Sequence, residues 1–275
     1  MSFSRRQFIQ LMGLAGAAGM LPGCNSGTTT RKAPSDLYDM PKFGNVSLLH
    51  ITDTHAQLNP VYFREPNVNL GLHGAYGKAP HLVGDKLLSH FGIKPGSIEA
   101  HAFSYLNYSE AAQKYGKVGG FAHLATLVKK IRAERGDGNS LLLDGGDTWQ
   151  GSGTALWTRG MDMVGACNKL GVDVMTGHWE FTYKDEEVLK NIEAFNGEFL
   201  AHNVQVKDDA LFDYEFADFE DFNEDSGHAF KPYTMREMGG VRVAVIGQAF
   251  PYTPIANPSR FIPHWSFGIQ DRALQ

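Results

Sequence analysis

The sequence predicts an α/β fold: a mixed or largely parallel sheet with helices on its faces. Two observations carry that expectation. Short apolar runs with strand character alternate with stretches of helical periodicity, the pattern of a sheet layered with helices. Three of those runs also end in residues able to bind metal, and ligands of such sheets sit beyond the carboxyl ends of the strands. The runs are Leu48-Leu49-His50-Ile51-Thr52-Asp53-Thr54-His55, Leu141-Leu142-Leu143-Asp144-Gly145-Gly146-Asp147 and Val172-Asp173-Val174-Met175-Thr176-Gly177-His178.

Taken in order, Ser4-Arg5-Arg6-Gln7-Phe8-Ile9 is a twin-arginine signature, followed by an apolar run from Leu11 to Leu21 that is too short to span a bilayer. Residues 1–24 therefore read as a bacterial export signal. Leu21-Pro22-Gly23-Cys24 resembles a lipoprotein cleavage box, with Pro22 unusual there, so both a lipid anchor at Cys24 and a soluble periplasmic product are open. Residues 25–44 are rich in Ser, Thr, Gly and Pro and read as a flexible leader.

The first strand is expected over Val46–Ile51. Residues 59–118 then interrupt the strand-to-helix step, which normally takes only a few residues. This insertion holds many aromatics and glycines and four histidines, and reads either as a lid or partner surface or as a cover for the sheet edge. A helix follows over Phe121–Arg135, with Phe121, Leu124, Leu127, Val128 and Ile131 on one face and Gly136 as its stop. The second strand is Ser140–Leu143. One short helix is expected from about Thr158 to Leu170, then a strand at Val172–Met175, a helix over Lys184–Phe195, a strand at Phe199–Ala201 and a fifth at Val241–Ile246. The acidic stretch 207–231 reads as a solvated surface excursion.

Composition narrows the function classes. The chain has 275 residues, 43% of them hydrophobic, and a net charge of −5. That is ordinary for a globular protein, and no basic stretch points to nucleic acid. There are two cysteines, Cys24 and Cys167, so a disulfide framework is excluded and Cys167 reads as a small buried residue on a helix.

Carboxylate and imidazole ligands together suit borderline divalent metals such as Mn, Fe and Zn. A bridging aspartate is the usual device for holding two ions roughly 3.5–4 Å apart. Asp53, His55, Asp147 and His178 are the expected ligands. Asn203, at the end of the fourth strand, is a candidate for substrate contact. Asp144 reads as a turn cap within its glycine-rich loop, and His123 and His202 as structural.

Asp53-Thr54-His55, Gly145-Gly146-Asp147-Thr148 and Gly177-His178-Trp179-Glu180-Phe181 resemble the first three motifs of the calcineurin-like metallophosphoesterases, in the branch of bacterial 5′-nucleotidases. The resemblance is closer to the SoxB family of Sox-pathway thiosulfohydrolases. It is carried also by Tyr62-Phe63-Arg64-Glu65-Pro66, His81-Leu82-Val83-Gly84, Glu99-Ala100-His101-Ala102-Phe103 and Tyr115-Gly116-Lys117-Val118-Gly119-Gly120-Phe121-Ala122-His123-Leu124.

This resemblance implies a metallophosphoesterase-like layered sheet with helices on both faces. It implies that Asp53 and His55 bind a first metal, that Asp147 bridges, and that His178 binds a second, with manganese favoured and zinc and iron as alternatives. Trp179 stands where nucleotidases have the histidine that assists the leaving group. Glu180 is expected to support the site by orienting a ligand imidazole. The implied activity is a dinuclear-metal hydrolase that uses an activated hydroxide to release sulfate from cysteine S-thiosulfonate groups on a SoxYZ-like sulfur carrier protein in the periplasm. A periplasmic 5′-nucleotidase-like phosphoesterase and a non-catalytic carrier-binding fragment are the alternatives. Members of the family carry two further motifs, resembling Ser-His-Asn-Gly and Gly-His-x-His, and a C-terminal substrate domain. Neither motif occurs up to Gln275, so 45–275 is expected to be the N-terminal part of the metallophosphoesterase domain, incomplete at its C-terminus and inactive alone.

Overall fold

Four parallel strands line up so that the metal-capable residues leave the sheet side by side. They are β1 (Ser47–Ile51), β2 (Ser140–Asp144), β3 (Val174–Met175) and β4 (Glu198–Phe199), in the order β1-β2-β3-β4. Across the sheet Ile51 pairs with Asp144, Asp144 with Met175, and Met175 with Phe199. This register puts the four carboxyl ends on one line, so the loops that leave them form one rim. The computed structural model describes residues 43–62, 71–117, 119–136 and 138–269. The expectations for the export signal, for the leader up to residue 42, for Phe63-Arg64-Glu65-Pro66 and for Val118 lie outside the described residues.

The insertion forms three short helices, α1 (Gly84–Phe91), α2 (Ile98–Phe103) and α3 (Tyr108–Tyr115). Ser97 caps α2 by accepting from the Ala100 N–H (3.1 Å). His101 of α2 stacks on Tyr115 of α3 at 5.2 Å between ring centroids. The excursion closes where the Phe121 N–H donates to the Leu58 carbonyl (3.1 Å).

The remaining sheet connections are helical. They are α4 (Phe121–Arg135) before β2, α5 (Gly153–Thr158) and α6 (Met161–Leu170) before β3, and α7 (Asp185–Ala194) before β4; α4 packs on α6 and α6 on α7. The single helix expected from Thr158 is two helices. Arg159 and Gly160 both take positive φ between them, and Asn191 of α7 donates to the freed Arg159 carbonyl (2.8 Å). Cys167 is buried in α6, as its apolar setting implied, and burial raises its thiol pKa.

Val241–Ile246 is a strand, β7, but it does not enter the parallel sheet. It pairs antiparallel with β6 (Tyr233–Met238) in a hairpin. The turn is Gly239-Gly240, with φ of 55° and 76°, and a two-residue turn with both φ positive matches the twist of a hairpin. The hairpin joins the end of β4 through Ala201 N–H to Lys231 O (2.9 Å) and His202 N–H to Gly247 O (2.8 Å). A short antiparallel pair, β5 (Gln205–Val206) with β8 (Trp265–Ser266), and a last α-helix, α8 (Thr253–Ala256), complete the strands and α-helices among the described residues.

The core holds Trp149, Phe181, Phe199, Phe230 and Trp265, all fully buried. In the acidic stretch, Phe216, Phe219 and Phe222 pack against this core. Asp208, Asp209, Asp213, Glu215 and Asp218 face solvent, while half-buried Asp221 pairs with Lys231 (3.1 Å). Aromatic anchoring with acids outward is what a solvated excursion requires.

Candidate metal centre

Two loops are laced together at the rim by main-chain bonds. The Asp53 N–H donates to Gly146 O (2.9 Å), His55 N–H to Asp147 O (2.9 Å), Ala56 N–H to Thr148 O (3.2 Å) and Gly145 N–H to Ile51 O (2.8 Å). Asp53, His55, Ala56 and Asp147 have φ of 52°, 48°, 51° and 57°. Each left-handed non-glycine residue costs about 1–2 kcal/mol, and such strain persists where surrounding bonds over-determine it, as this ladder does. The third loop approaches at Gly146. A Cβ there would lie 2.8 Å from both His178 N and Thr176 O, and Gly146 has φ of 90°, so position and backbone both demand glycine.

One ligating atom each from Asp53, His55 and Asp147 falls within 4.8 Å of the others. Asp147 is 2% exposed, and its Oδ2 lies 3.6 Å from His55 Nε2 and 3.2 Å from His178 Nδ1. The Gln150 amide donates to its Oδ1. A buried carboxylate oxygen flanked by two imidazoles, with an exposed aspartate beside it, is a donor set that fits a divalent ion and lets Asp147 be shared. Asp53, His55 and Asp147 are thus brought together, and His178 joins them through Asp147.

The other expected residues lie differently. Glu180 does not meet a ligand imidazole. It is fully buried, and its two oxygens accept from the N–H groups of Asp147, Thr148, Trp149 and His178. Trp179 stacks on Phe250 (6.3 Å, 27°), and Phe250 packs on His178 (4.6 Å), which walls one side of the site. Asn203 is fully buried. Its amide donates to Ala249 O and Gly268 O (both 2.9 Å) and accepts from Ala249 N (2.8 Å), so the side chain braces strand ends. His202 is buried beside Gln248 (3.3 Å), and His123 lies against Gly119 O (2.7 Å) at the start of α4. Gln150 and Phe250 were not singled out in the sequence. Their signals were position: Gln150 is three residues past Asp147, and Phe250 lies just past the carboxyl end of β7.

Asp144 caps its turn, with Oδ1 accepting from Gly146 N and Thr148 Oγ1 (both 2.9 Å). Burial, reinforced by Glu180 and Asp53 nearby, raises its carboxyl from 3.8 to about 7. A raised acid pKa means the folded state holds the proton more tightly. The stabilisation is full below the unfolded value and is lost as pH climbs through about 7. In metal-stripped protein, Asp144→Asn removes this titration. The stability advantage of the variant over the parent is expected to grow between pH 5 and pH 8 by on the order of 2–4 kcal/mol, since each tenfold difference in proton affinity is worth about 1.4 kcal/mol. Denaturant melts across that range check this, and parallel pH profiles for the two proteins would contradict it.

The fold is of the 5′-nucleotidase-like, metallophosphoesterase type, as its likenesses to solved structures show. No family model matches the chain. Among solved structures it is similar to the sulfate thiohydrolase SoxB of Thermus thermophilus, with 34% identity and a TM-score of 0.67 over 86% of this chain and 41% of that one. It is 31% identical to the 5′-nucleotidase of Bos taurus over 144 residues, 51% of this chain and 23% of the relative. A 5′-nucleotidase precursor from Thermus thermophilus shares the fold, with 22% identity and a TM-score of 0.52 over 84% of this chain and 33% of that one. The SoxB resemblance carried by the motifs therefore holds in three dimensions, and the chain spans less than half the length of each of these relatives.

Proposed function

We propose that this chain carries the metal-binding rim of a SoxB-type hydrolase, which releases sulfate from S-thiosulfonate groups on the cysteine of a carrier protein. The observation that carries this reading is the contrast in likeness. The chain matches SoxB at 34% identity and a TM-score of 0.67, against 22% and 0.52 for the 5′-nucleotidase precursor over nearly the same share of the chain.

Asp53 and His55 would hold one divalent ion, His178 a second, and Asp147 both. Bound there, such ions supply Lewis-acid stabilisation of a tetrahedral oxyanion and lower the pKa of water. Manganese is the ion proposed, with zinc and iron as the other candidates. The chain's own residues fix the geometry. The left-handed loop presents Asp53 and His55 outward, while buried Asp147 is held from behind by Gln150 and its neighbours' main chain. In the hydrolysis, the water oxygen bonds to the terminal sulfur and the S–S bond breaks. Sulfate departs, both protons of the water are released, and the electron pair stays on the persulfide sulfur, which leaves as an anion. That leaving group is a weak base, so Trp179 at the third motif, where a proton donor is not needed, fits it.

A second reading, a periplasmic 5′-nucleotidase-like phosphoesterase, is favoured by the 31% identity to the bovine enzyme. A non-catalytic, carrier-binding role is the third. The twin-arginine signature of the sequence supports a periplasmic setting for the proposed reaction. Among the described residues, no helix is long and apolar enough to cross a membrane. The test is turnover by the complete protein of two substrates: a thiosulfonate-loaded SoxYZ-like carrier and AMP. Sulfate release from the carrier is expected. Turnover of AMP alone would establish the second reading, and carrier binding without turnover the third.

A further inference from the structure

The carboxylate of Glu180 is 0% exposed, and its hydrogen bonds go to main-chain N–H groups, two of them on the backbone of proposed ligands. Oε2 accepts from Asp147 N–H (3.1 Å) and from His178 N–H (2.7 Å). Oε1 accepts from Thr148 N–H (2.8 Å) and Trp149 N–H (3.2 Å). Burying a carboxylate is costly unless its lone pairs are filled, and four N–H donors fill them. One oxygen atom thus tethers the second and third loops where their ligands leave the chain. The first loop is held independently, since Asp53 and His55 bond by main chain to Gly146 and Asp147.

We infer that Glu180 is a positioning residue that sets the placement of His178 relative to Asp147, and so governs the ion shared by those two ligands more than the ion beside Asp53 and His55. The inference rests on the metal-site reading above and adds a division of labour to it. The Asp53–His55–Asp147 group needs only the ladder between the first two loops, whereas the Asp147–His178 pairing needs the clasp. Groups behind metal ligands typically change affinity about 10–100-fold when removed.

Glu180→Gln tests this in the complete protein. The isosteric amide turns one acceptor into a donor that faces N–H groups, so about half of the clasp is lost. Metal-free protein is titrated with Mn²⁺, and bound ions are followed by calorimetry and electron paramagnetic resonance. The parent is expected to bind two ions with a spin-coupled signal. E180Q is expected to keep one ion at parental affinity, to bind the other about 10–100-fold more weakly and to lose the coupled signal. His178→Ala should give the same one-ion pattern. Two ions bound as in the parent would overturn the clasp, and so would both ions weakening together, which is the mark of a general structural role. A parent that binds no Mn²⁺ would instead overturn the metal-site reading. Should E180Q not fold, Glu180→Asp keeps the charge but withdraws it by one methylene, and the same selective loss is expected of it.

Discussion

Replacing Asp147 with asparagine is expected to empty the site of divalent ions and to lower the proposed sulfate release about a thousandfold, with the fold intact. Asp147 Oδ2 is the atom nearest to both imidazoles, 3.6 Å from His55 and 3.2 Å from His178, and it belongs to the one group of metal-capable atoms found among the described residues. Asparagine keeps the shape but removes the charge. It offers one neutral oxygen where two cations would share an anionic carboxylate. Metal ions contribute several kcal/mol of transition-state stabilisation, and about 4 kcal/mol corresponds to roughly a thousandfold in rate. The backbone of Asp147 stays pinned, because its N–H reaches Glu180 and its carbonyl accepts from His55. The melting temperature of metal-free protein should therefore move by only a few degrees. Metal content after dialysis against Mn²⁺ is the direct readout, and a parental two-ion content in Asp147→Asn would refute the assignment.

The gathering of metal-capable residues was legible in the sequence because each stands just past an apolar run, and a parallel register converts that spacing into a common rim. The loop geometry was not legible. Asp53, His55, Ala56 and Asp147 are left-handed without being glycine, and only the ladder between two loops far apart in sequence holds them so. Glu180 shows the same limit. Its position after His178 pointed to an imidazole, but its partners are N–H groups, which nearly every residue carries, so no residue type announces them. Asn203 is alike, its amide spent on the main chain of Ala249 and Gly268. The break between α5 and α6 rests on Asn191, 32 residues downstream of Arg159. Of the hairpin, only the second strand, Val241–Ile246, was read from the sequence; its partner Tyr233–Met238 was not, although Gly239-Gly240 between two strand-like runs is a short-range signal for that turn.

The third motif ends on Phe181, and there the metal loop and the core meet. Phe181→Ala is expected to destabilise the protein by about 3–5 kcal/mol, the usual cost of truncating a buried phenylalanine. Its ring is 0% exposed and packs edge-on against Phe199 (6.5 Å), Trp265 (5.9 Å) and Phe267 (4.9 Å), with Phe230 tilted at 6.4 Å. Those partners come from β4, from β8 and the residue following it, and from the end of the acidic stretch, so one ring ties segments distant in sequence. The space behind it cannot close by local movement, because Phe199, Phe230 and Trp265 are themselves large rings fixed by further rings. A loss of this size is a large fraction of the roughly 5–15 kcal/mol that keeps a domain folded. It should lower the melting temperature by about 10 °C in a chain of this size. Phe181→Leu keeps most of the volume and should cost less than about 1.5 kcal/mol. The two variants separate packing from chemistry, since neither removes a ligand or the Glu180 carboxylate. If Phe181→Leu binds Mn²⁺ like the parent while Phe181→Ala melts early, the ring serves the core. If Phe181→Leu instead loses one ion at unchanged melting temperature, the ring also sets the course of the His178 loop, and its role in the third motif is positional as well.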